Sequence, residues 1–176
     1  MPAALYAAFA SGTVRRRARE RKGPADLLER VNGTLRRRGI EGLYCTLAYA
    51  LFDFAGRSVR VANSGLPYPL HYRAGSGKAE PLTVSGLPLG TFDNVEYDEV
   101  TAELAPGDAF LFFSDGITEA LRGHDEYGVK RLRRGLEAHG ALPGNALGEA
   151  LMADLERFVG SPAWTDDATL VVVKVL

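Results

Sequence analysis

The sequence predicts an α+β fold, and three observations predict it. Apolar residues recur at helical spacing over the first forty positions, the middle of the chain holds a group of short apolar and β-branched runs separated by Gly- and Pro-rich turns, and two more helical patterns precede a closing hydrophobic run. Grouped strands and grouped helices point to segregated layers rather than alternating βα units. Two strand layers in a β-sandwich, flanked by helices, would bury both the continuous apolar strands and the helical stripes, and residues 1–176 are expected to form a single domain.

Pro2 at a first-turn position, followed by Ala-rich sequence, starts a helix expected to reach Lys22, where Gly23-Pro24 stops it. Leu27, Leu28, Val31 and Leu35 then recur at helical spacing, and Gly39 closes a second helix. The period changes over residues 44–54, which are too hydrophobic for a surface strand. Ala55-Gly56 supplies a turn and residues 58–62 the returning strand. Further strands are expected at 69–73, 96–104 and 109–114, punctuated by Gly75-Ser76-Gly77, residues 86–90 and Pro106-Gly107-Asp108. Helices at about 127–139 and 145–159 precede a last strand over 169–176. No internal repeat, low-complexity tract or linker interrupts this order.

Composition narrows the function classes. A net charge of −1 across 176 residues argues against a nucleic-acid partner held by overall charge. The single cysteine, Cys45, leaves no internal disulfide and fits a reducing compartment; set in an apolar run, it reads as a buried structural thiol. No stretch approaches the roughly 18 consecutive apolar residues of a membrane helix, so no membrane partner is expected and a cytoplasmic location is. His71, His124 and His139 are scattered and are expected at the surface, so no histidine cluster offers a zinc site.

Two segments place acids at the ends of hydrophobic strands. Phe110-Leu111-Phe112-Phe113-Ser114 runs into Asp115-Gly116, which sets a carboxylate at the rim of the core, with a glycine that permits a sharp turn or a close approach. Asp166-Asp167 immediately precedes the final strand. If those strands are neighbours, Asp115 and Asp166 meet at one sheet edge, where two carboxylates repel each other unless a cation lies between them. Hard oxygen ligands select Mg²⁺ or Mn²⁺ over zinc. The same residues also suit an ordinary Asp-Gly turn and a solvated loop, and the residues by themselves leave both readings open.

The wider pattern resembles the type 2C metal-dependent protein serine/threonine phosphatases, in the bacterial branch typified by the stage II sporulation phosphatase and the regulators of the general stress response. Residues Phe112-Phe113-Ser114-Asp115-Gly116-Ile117-Thr118-Glu119-Ala120 resemble that family's aspartate-glycine motif, and Asp166-Asp167-Ala168-Thr169-Leu170 its closing motif. Asn63-Ser64-Gly65-Leu66-Pro67-Tyr68-Pro69 is similar to an Asn-x-Gly-x-Pro-x-Pro segment, while Gly86-Leu87-Pro88-Leu89-Gly90 and Leu104-Ala105-Pro106-Gly107-Asp108 match two further stretches. Each alone is weak; five in order are not.

The resemblance implies hydrolysis of phosphoserine or phosphothreonine on a regulatory protein by a metal-activated water, with two Mn²⁺ or Mg²⁺ ions in the intact family site. It makes Asp115 and Asp166 metal ligands, has Gly116 allow the turn that aims Asp115, and gives Asp167 a supporting place at the strand entry. It further implies a phosphorylated partner of the anti-anti-sigma factor type and an upstream sensor domain in the full-length parent. Family members carry an Asp-x-Ser-Gly-x-Gly segment that runs into a sequence like Met-Pro-Ala-Ala-Leu, and here that sequence is Met1-Pro2-Ala3-Ala4-Leu5. The expectation is therefore an N-terminally truncated domain, or a gene model begun at an internal methionine, holding at most one weak ion and leaving apolar sheet edges open to aggregation. Such a chain alone is expected to leave p-nitrophenyl phosphate essentially unhydrolysed with Mn²⁺.

The alternative is a non-catalytic partner-binding module with a degenerate phosphatase fold; a sensor-type ligand-binding domain is disfavoured by the paired aspartate motifs. Arg15-Arg16-Arg17-Ala18-Arg19-Glu20-Arg21-Lys22 and Arg36-Arg37-Arg38 are dense in positive charge. They read most simply as solvated helix ends, where cations are favourable, and more sharply as a docking patch of Arg15, Arg16, Arg17 and Arg19 for an acidic partner. Trp164 reads as a packing or loop-anchoring residue, and Asn63 with Gly65 as a turn at a strand end.

Overall fold

The computed structural model describes residues 2–20, 22–38, 42–160 and 166–176. The chain divides into two compact units, one formed by residues 1–66 and 83–103, the other by residues 67–82 and 104–176. Each unit carries antiparallel sheet and its own helices, two in the first and three in the second, in keeping with the α+β expectation.

In the first unit, α1 (Pro2–Ala18) and α2 (Pro24–Arg38) accompany a three-stranded sheet in the order β1 (Leu47–Asp53), β2 (Ser58–Ser64), β5 (Val100–Glu103). The helical spacing of Leu27, Leu28, Val31 and Leu35 puts all four on one buried stripe, where they join Tyr6, Ala10, Ala62, Leu89 and Tyr97 in a single core. Burial of each such leucine contributes roughly 1.5–3 kcal/mol. The first helix ends at Ala18, short of Lys22, with a turn at Arg19-Glu20. Gly39 and Arg21 lie outside the described residues.

Strand β1 is shorter than the apolar run that predicts it. Cys45 forms an isolated bridge with Leu89 instead of extending the strand. As an edge strand, β1 is half-buried along most of its length, and so is less enclosed than its hydrophobicity suggests. The Cys45 thiol is itself half-buried, and that burial pushes it upward from its ordinary pKa, as befits an inert thiol.

Single buried polar side chains organise the glycine-rich loops of this unit. The Asn32 amide donates to the Phe92 carbonyl at 3.0 Å and accepts from the Gly90 N–H at 2.8 Å, tying the 86–92 loop to α2. Asn63 brackets Leu66 in the same way, at 2.7 and 3.1 Å, and Gly65 takes φ +94° to complete the turn. The strand-end turn expected for Asn63 and Gly65 is what forms.

The second unit carries a four-stranded sheet in the order β4 (Lys78–Pro81), β3 (Leu70–Arg73), β6 (Ala109–Phe113), β9 (Leu170–Lys174). Between β6 and β9 in sequence come α3 (Asp115–Thr118), a two-stranded ribbon of β7 (Leu121–Arg122) and β8 (Asp125–Glu126), then α4 (Gly128–His139) and α5 (Gly144–Val159). Leu132 and Leu136 of α4 and Leu147, Leu151 and Leu155 of α5 pack with Leu70, Leu111 and Phe113 of the sheet. Strand β9 is an edge strand in which Val171 is 50% exposed. The sequence patterns locate α4, α5, β6 and β9 to within two residues; they miss β4, α3 and the ribbon.

One histidine overturns its expected surface position. His71 is 1% exposed and stacks on Phe110 at 4.2 Å, with Nε2 lying 2.9 Å from Asp108 Oδ2. The cause is the Pro106-Gly107-Asp108 turn. With Gly107 at φ +87°, the Asp108 carboxylate also accepts the N–H groups of Ala74 and Ala105, and one buried acid therefore joins the end of β3 to the 105–108 turn. An Asp108 carboxylate facing Nε2 calls for a proton there, which leaves Nδ1 as a buried acceptor without a hydrogen-bond partner among the described residues. His124 is exposed, and His139 is half-buried beside Asp154.

Burial is the largest influence on His71 and holds its pKa below the ordinary 6.5, against the opposing pull of Asp108. A base held below its unfolded value costs nothing above that value and destabilises the fold as pH falls beneath it. Stability is therefore expected to drop as pH is lowered from about 7.5 toward 5. The His71→Gln variant, which keeps an N–H for Asp108 but does not titrate, should show a shallower fall in unfolding midpoint over that range. Parallel curves for the two proteins would contradict the assignment.

Candidate functional site

Strands β6 and β9 pair antiparallel, with Ala109 opposite Lys174 and Phe113 opposite Leu170. This register fixes which residues emerge together at the end of the ladder. The Ser114 N–H continues the pairing to the Thr169 carbonyl at 3.1 Å. Its hydroxyl then accepts from the Thr169 N–H at 2.9 Å and donates to the Asp167 carbonyl at 3.1 Å. One small side chain thus locks the segment before β9 onto the end of β6.

Beyond Ser114 the chain turns into α3. Gly116 is buried there, and a Cβ at this position would come within 2.5 Å of the Asp167 carbonyl oxygen. The absence of a side chain at Gly116 lets two backbones approach more closely than any other residue permits. Gly116 lies within α3 and is not among the positive-φ glycines, so the close approach is what its missing side chain permits here.

Asp115, Asp166 and Asp167 are all solvent-exposed at this end of the β6–β9 pair. Asp115 Oδ1 accepts the Gly116 N–H at 3.0 Å, and Asp166 Oδ1 accepts the Asp167 N–H at 2.7 Å. Each carboxylate is therefore held by the residue that follows it, with its remaining lone pairs directed to solvent or a ligand. The structure brings the backbones of the two motifs together, as neighbouring strands require. Among the described residues, no group of three or more His, Cys, Asp or Glu side chains gathers as a metal cluster. Trp164 lies outside the described residues.

The arginines expected as a docking patch belong to the first unit. Arg15, Arg16 and Arg17 form the last turn of α1. Arg17 pairs with Glu20 at 2.8 Å, while Arg15, Arg16 and Arg19 are exposed. Arg36 is engaged in a two-pronged pair with Asp93, at 2.9 and 3.1 Å, and so is not free for a partner.

A cationic feature that the sequence patterns miss surrounds Phe158 in the second unit. The Arg122 and Arg131 guanidinium carbons sit 4.6 and 4.7 Å from the ring centroid. One arginine lies before the start of α4 and the other inside it, and this spacing carries no sequence signal of a shared ring. The ribbon that brings Arg122 there is itself too short to leave a pattern.

Comparison with known proteins gives this geometry a context. Stage II sporulation protein E of Bacillus subtilis (strain 168) is 26% identical over 151 residues, covering 84% of this chain and 17% of that protein. The phosphoserine phosphatase RsbU of the same organism is 25% identical over 96 residues, covering 54% of this chain and 29% of its own length. The chain thus spans less than a third of the curated relatives it matches. Among solved structures, the SiaA-PP2C domain of Pseudomonas aeruginosa superposes with a TM-score of 0.84 at 20% identity, covering 99% of this chain and 70% of that one. The catalytic domain of the serine/threonine protein phosphatase PstP, in complex with two manganese ions, gives 0.61 at 17% identity, with 93% and 79% coverage. The fold is that of PP2C phosphatase domains. With residues 1–176 all matched by the model for stage II sporulation protein E, the chain belongs to the SpoIIE family.

Proposed function

We propose that this chain is part of a metal-dependent phosphatase domain that hydrolyses phosphoserine or phosphothreonine on a regulatory protein. The observation that carries the reading is the β6–β9 register, which delivers Asp115 and the Asp166-Asp167 pair to one sheet end. The donor chemistry there, aspartate and backbone oxygens, suits a hard divalent ion such as Mn²⁺ or Mg²⁺. Asp115 and Asp166 would hold the ion, Gly116 keeps the turn tight, and Asp167 supports the strand entry. When bound, the ion supplies Lewis-acid charge and a water of lowered pKa. Two aspartates make an incomplete shell, and that incompleteness also favours the second reading, a partner-binding module without turnover.

The Bacillus relative named a phosphoserine phosphatase supports phosphoserine as the substrate group, and the manganese complex of PstP supports the metal. On this reading the protein partner is a phosphorylated anti-anti-sigma type factor, and an upstream sensor domain controls the parent. No helix among the described residues is long and apolar enough to cross a membrane.

Saturating the proposed ion site with Mn²⁺ at about ten times its Kd should raise the unfolding midpoint of the chain by about 3–5 °C, and Asp115→Asn or Asp166→Asn should abolish the shift. Joined behind the family's Asp-x-Ser-Gly-x-Gly segment, the chain should hydrolyse p-nitrophenyl phosphate with Mn²⁺. There Asp115→Asn should lower kcat/KM by at least roughly 100-fold, because a Lewis-acid contact is worth several kcal/mol. A midpoint indifferent to Mn²⁺ would remove the metal site; a shift without hydrolysis by the joined protein would select the binding module.

The exposed arginines at the end of α1 form the partner-docking patch on the same reading. Reversing Arg16, Arg17 and Arg19 to glutamate should weaken binding of the phosphorylated factor roughly tenfold, more at low salt, while leaving the unfolding midpoint nearly unchanged. Unaltered affinity would return these residues to the role of solvated helix ends.

A further inference from the structure

The second unit holds an open cleft of about 450 Å³ between the β7–β8 ribbon, α4 and α5. Its walls include Arg122, Arg131, Arg134 and Arg157, its base the largely buried Phe158, and the one carboxylate lining it is Asp154. Four guanidiniums lining one cleft are costly to gather unless something offsets their repulsion.

The internal partners offset part of it. Asp125 in the ribbon pairs with Arg131 at 2.9 Å and with Arg122 at 3.5 Å, and Arg131 also donates to the carbonyls of Glu126 and Tyr127. Asp154 pairs with Arg157 at 2.7 Å and is shared with His139 at 3.0 Å. Two carboxylates thus serve three of the four arginines. Arg134, exposed on α4, has no ion pair among the described residues. Arg122 and Arg131 are held in place by Asp125 and by the Phe158 ring, and Arg157 by Asp154, so the cleft is preorganised; stacking leaves guanidinium edges available for oxyanions.

Arg134 also lines a second cleft, of about 580 Å³, with Lys130, His124 and the carboxylates Asp125 and Glu126. The two clefts share Tyr127, Arg131 and Arg134, and together they are far larger than a single small anion needs. Volumes of this size take residue-sized groups.

We infer that this arginine-lined cleft binds an acidic segment of a partner protein, with Arg134 as the principal carboxylate-binding residue and Arg122 and Arg157 completing the contact. The inference uses none of the Asp115 or Asp166 chemistry and stands whether or not the chain turns over phosphate.

The test is binding of a fluorescein-labelled hexaglutamate peptide to the 176-residue chain, followed by fluorescence anisotropy at low and moderate salt. Arg134→Glu should weaken binding by at least roughly tenfold. Arg133→Glu, on the same helix but outside the cleft and facing Glu137, should change it by less than about threefold, and Arg16→Glu tests whether the end of α1 holds the peptide instead. Unfolding midpoints of all variants confirm that exposed substitutions leave the fold intact. Equal losses for Arg133→Glu and Arg134→Glu would mean diffuse attraction and overturn the site. So would an absence of peptide binding, or a peptide that Arg16→Glu releases and Arg134→Glu does not. Inorganic phosphate that binds as tightly as the peptide and is lost with Arg134→Glu would overturn the peptide reading in favour of a small-anion site.

Discussion

The antiparallel register of β6 and β9 is the constraint on which the candidate site depends. Register in a ladder is all-or-none in its effect on side chains, since a slip of one residue sends every side chain to the opposite face. Here Phe113 opposite Leu170 sets the apolar residues toward the helices and releases the acidic motifs at the strand end. Ser114 then secures the register with a hydroxyl that both gives and accepts a hydrogen bond across the gap. The site is thus a by-product of strand pairing, held by backbone geometry and one small polar side chain and needing no support of its own from the core.

Isolated buried polar groups serve as joints elsewhere in both units. Asn32 fastens the 86–92 loop to a helix, and Asp108 gathers two backbone N–H groups and an imidazole. Each lies in a unit whose core is otherwise apolar, where an unmade hydrogen bond costs about 1–3 kcal/mol. Such a group tolerates few alternative arrangements of its neighbours. The Gly86–Gly90 and Pro106–Asp108 stretches, which resemble recurrent family segments, therefore have a concrete structural role, because they build the turns that these joints hold.

Much of this is legible in the sequence, for physical reasons that differ by element. The leucines of α2, α4 and α5 announce their helices because one stripe of each is buried. Strands β6 and β9 are legible because they are almost wholly apolar, and the acids at their ends stand out against that background. Strand β4 escapes because Lys78-Ala79-Glu80-Pro81 at a sheet edge needs only Ala79 inside, so alternation leaves almost no trace; the Gly75-Ser76-Gly77 turn after β3 is the available clue. The ribbon of Leu121–Arg122 and Asp125–Glu126 is too short for any period. His71 escapes because its burial depends on Asp108, thirty-seven residues away, and no local pattern reports a partner that distant.

The separation of β6 from β9 has one more consequence. More than fifty residues, including two full helices, are made between Phe113 and Leu170. During synthesis the first acidic motif leaves the ribosome long before the second exists, and its strand waits with one edge unpaired. The helices can pack against it in the interim, but the acid-bearing rim comes into being only as the final strand emerges from the exit tunnel. A nascent chain that has not reached Leu170 therefore lacks the paired rim, whatever else has already folded.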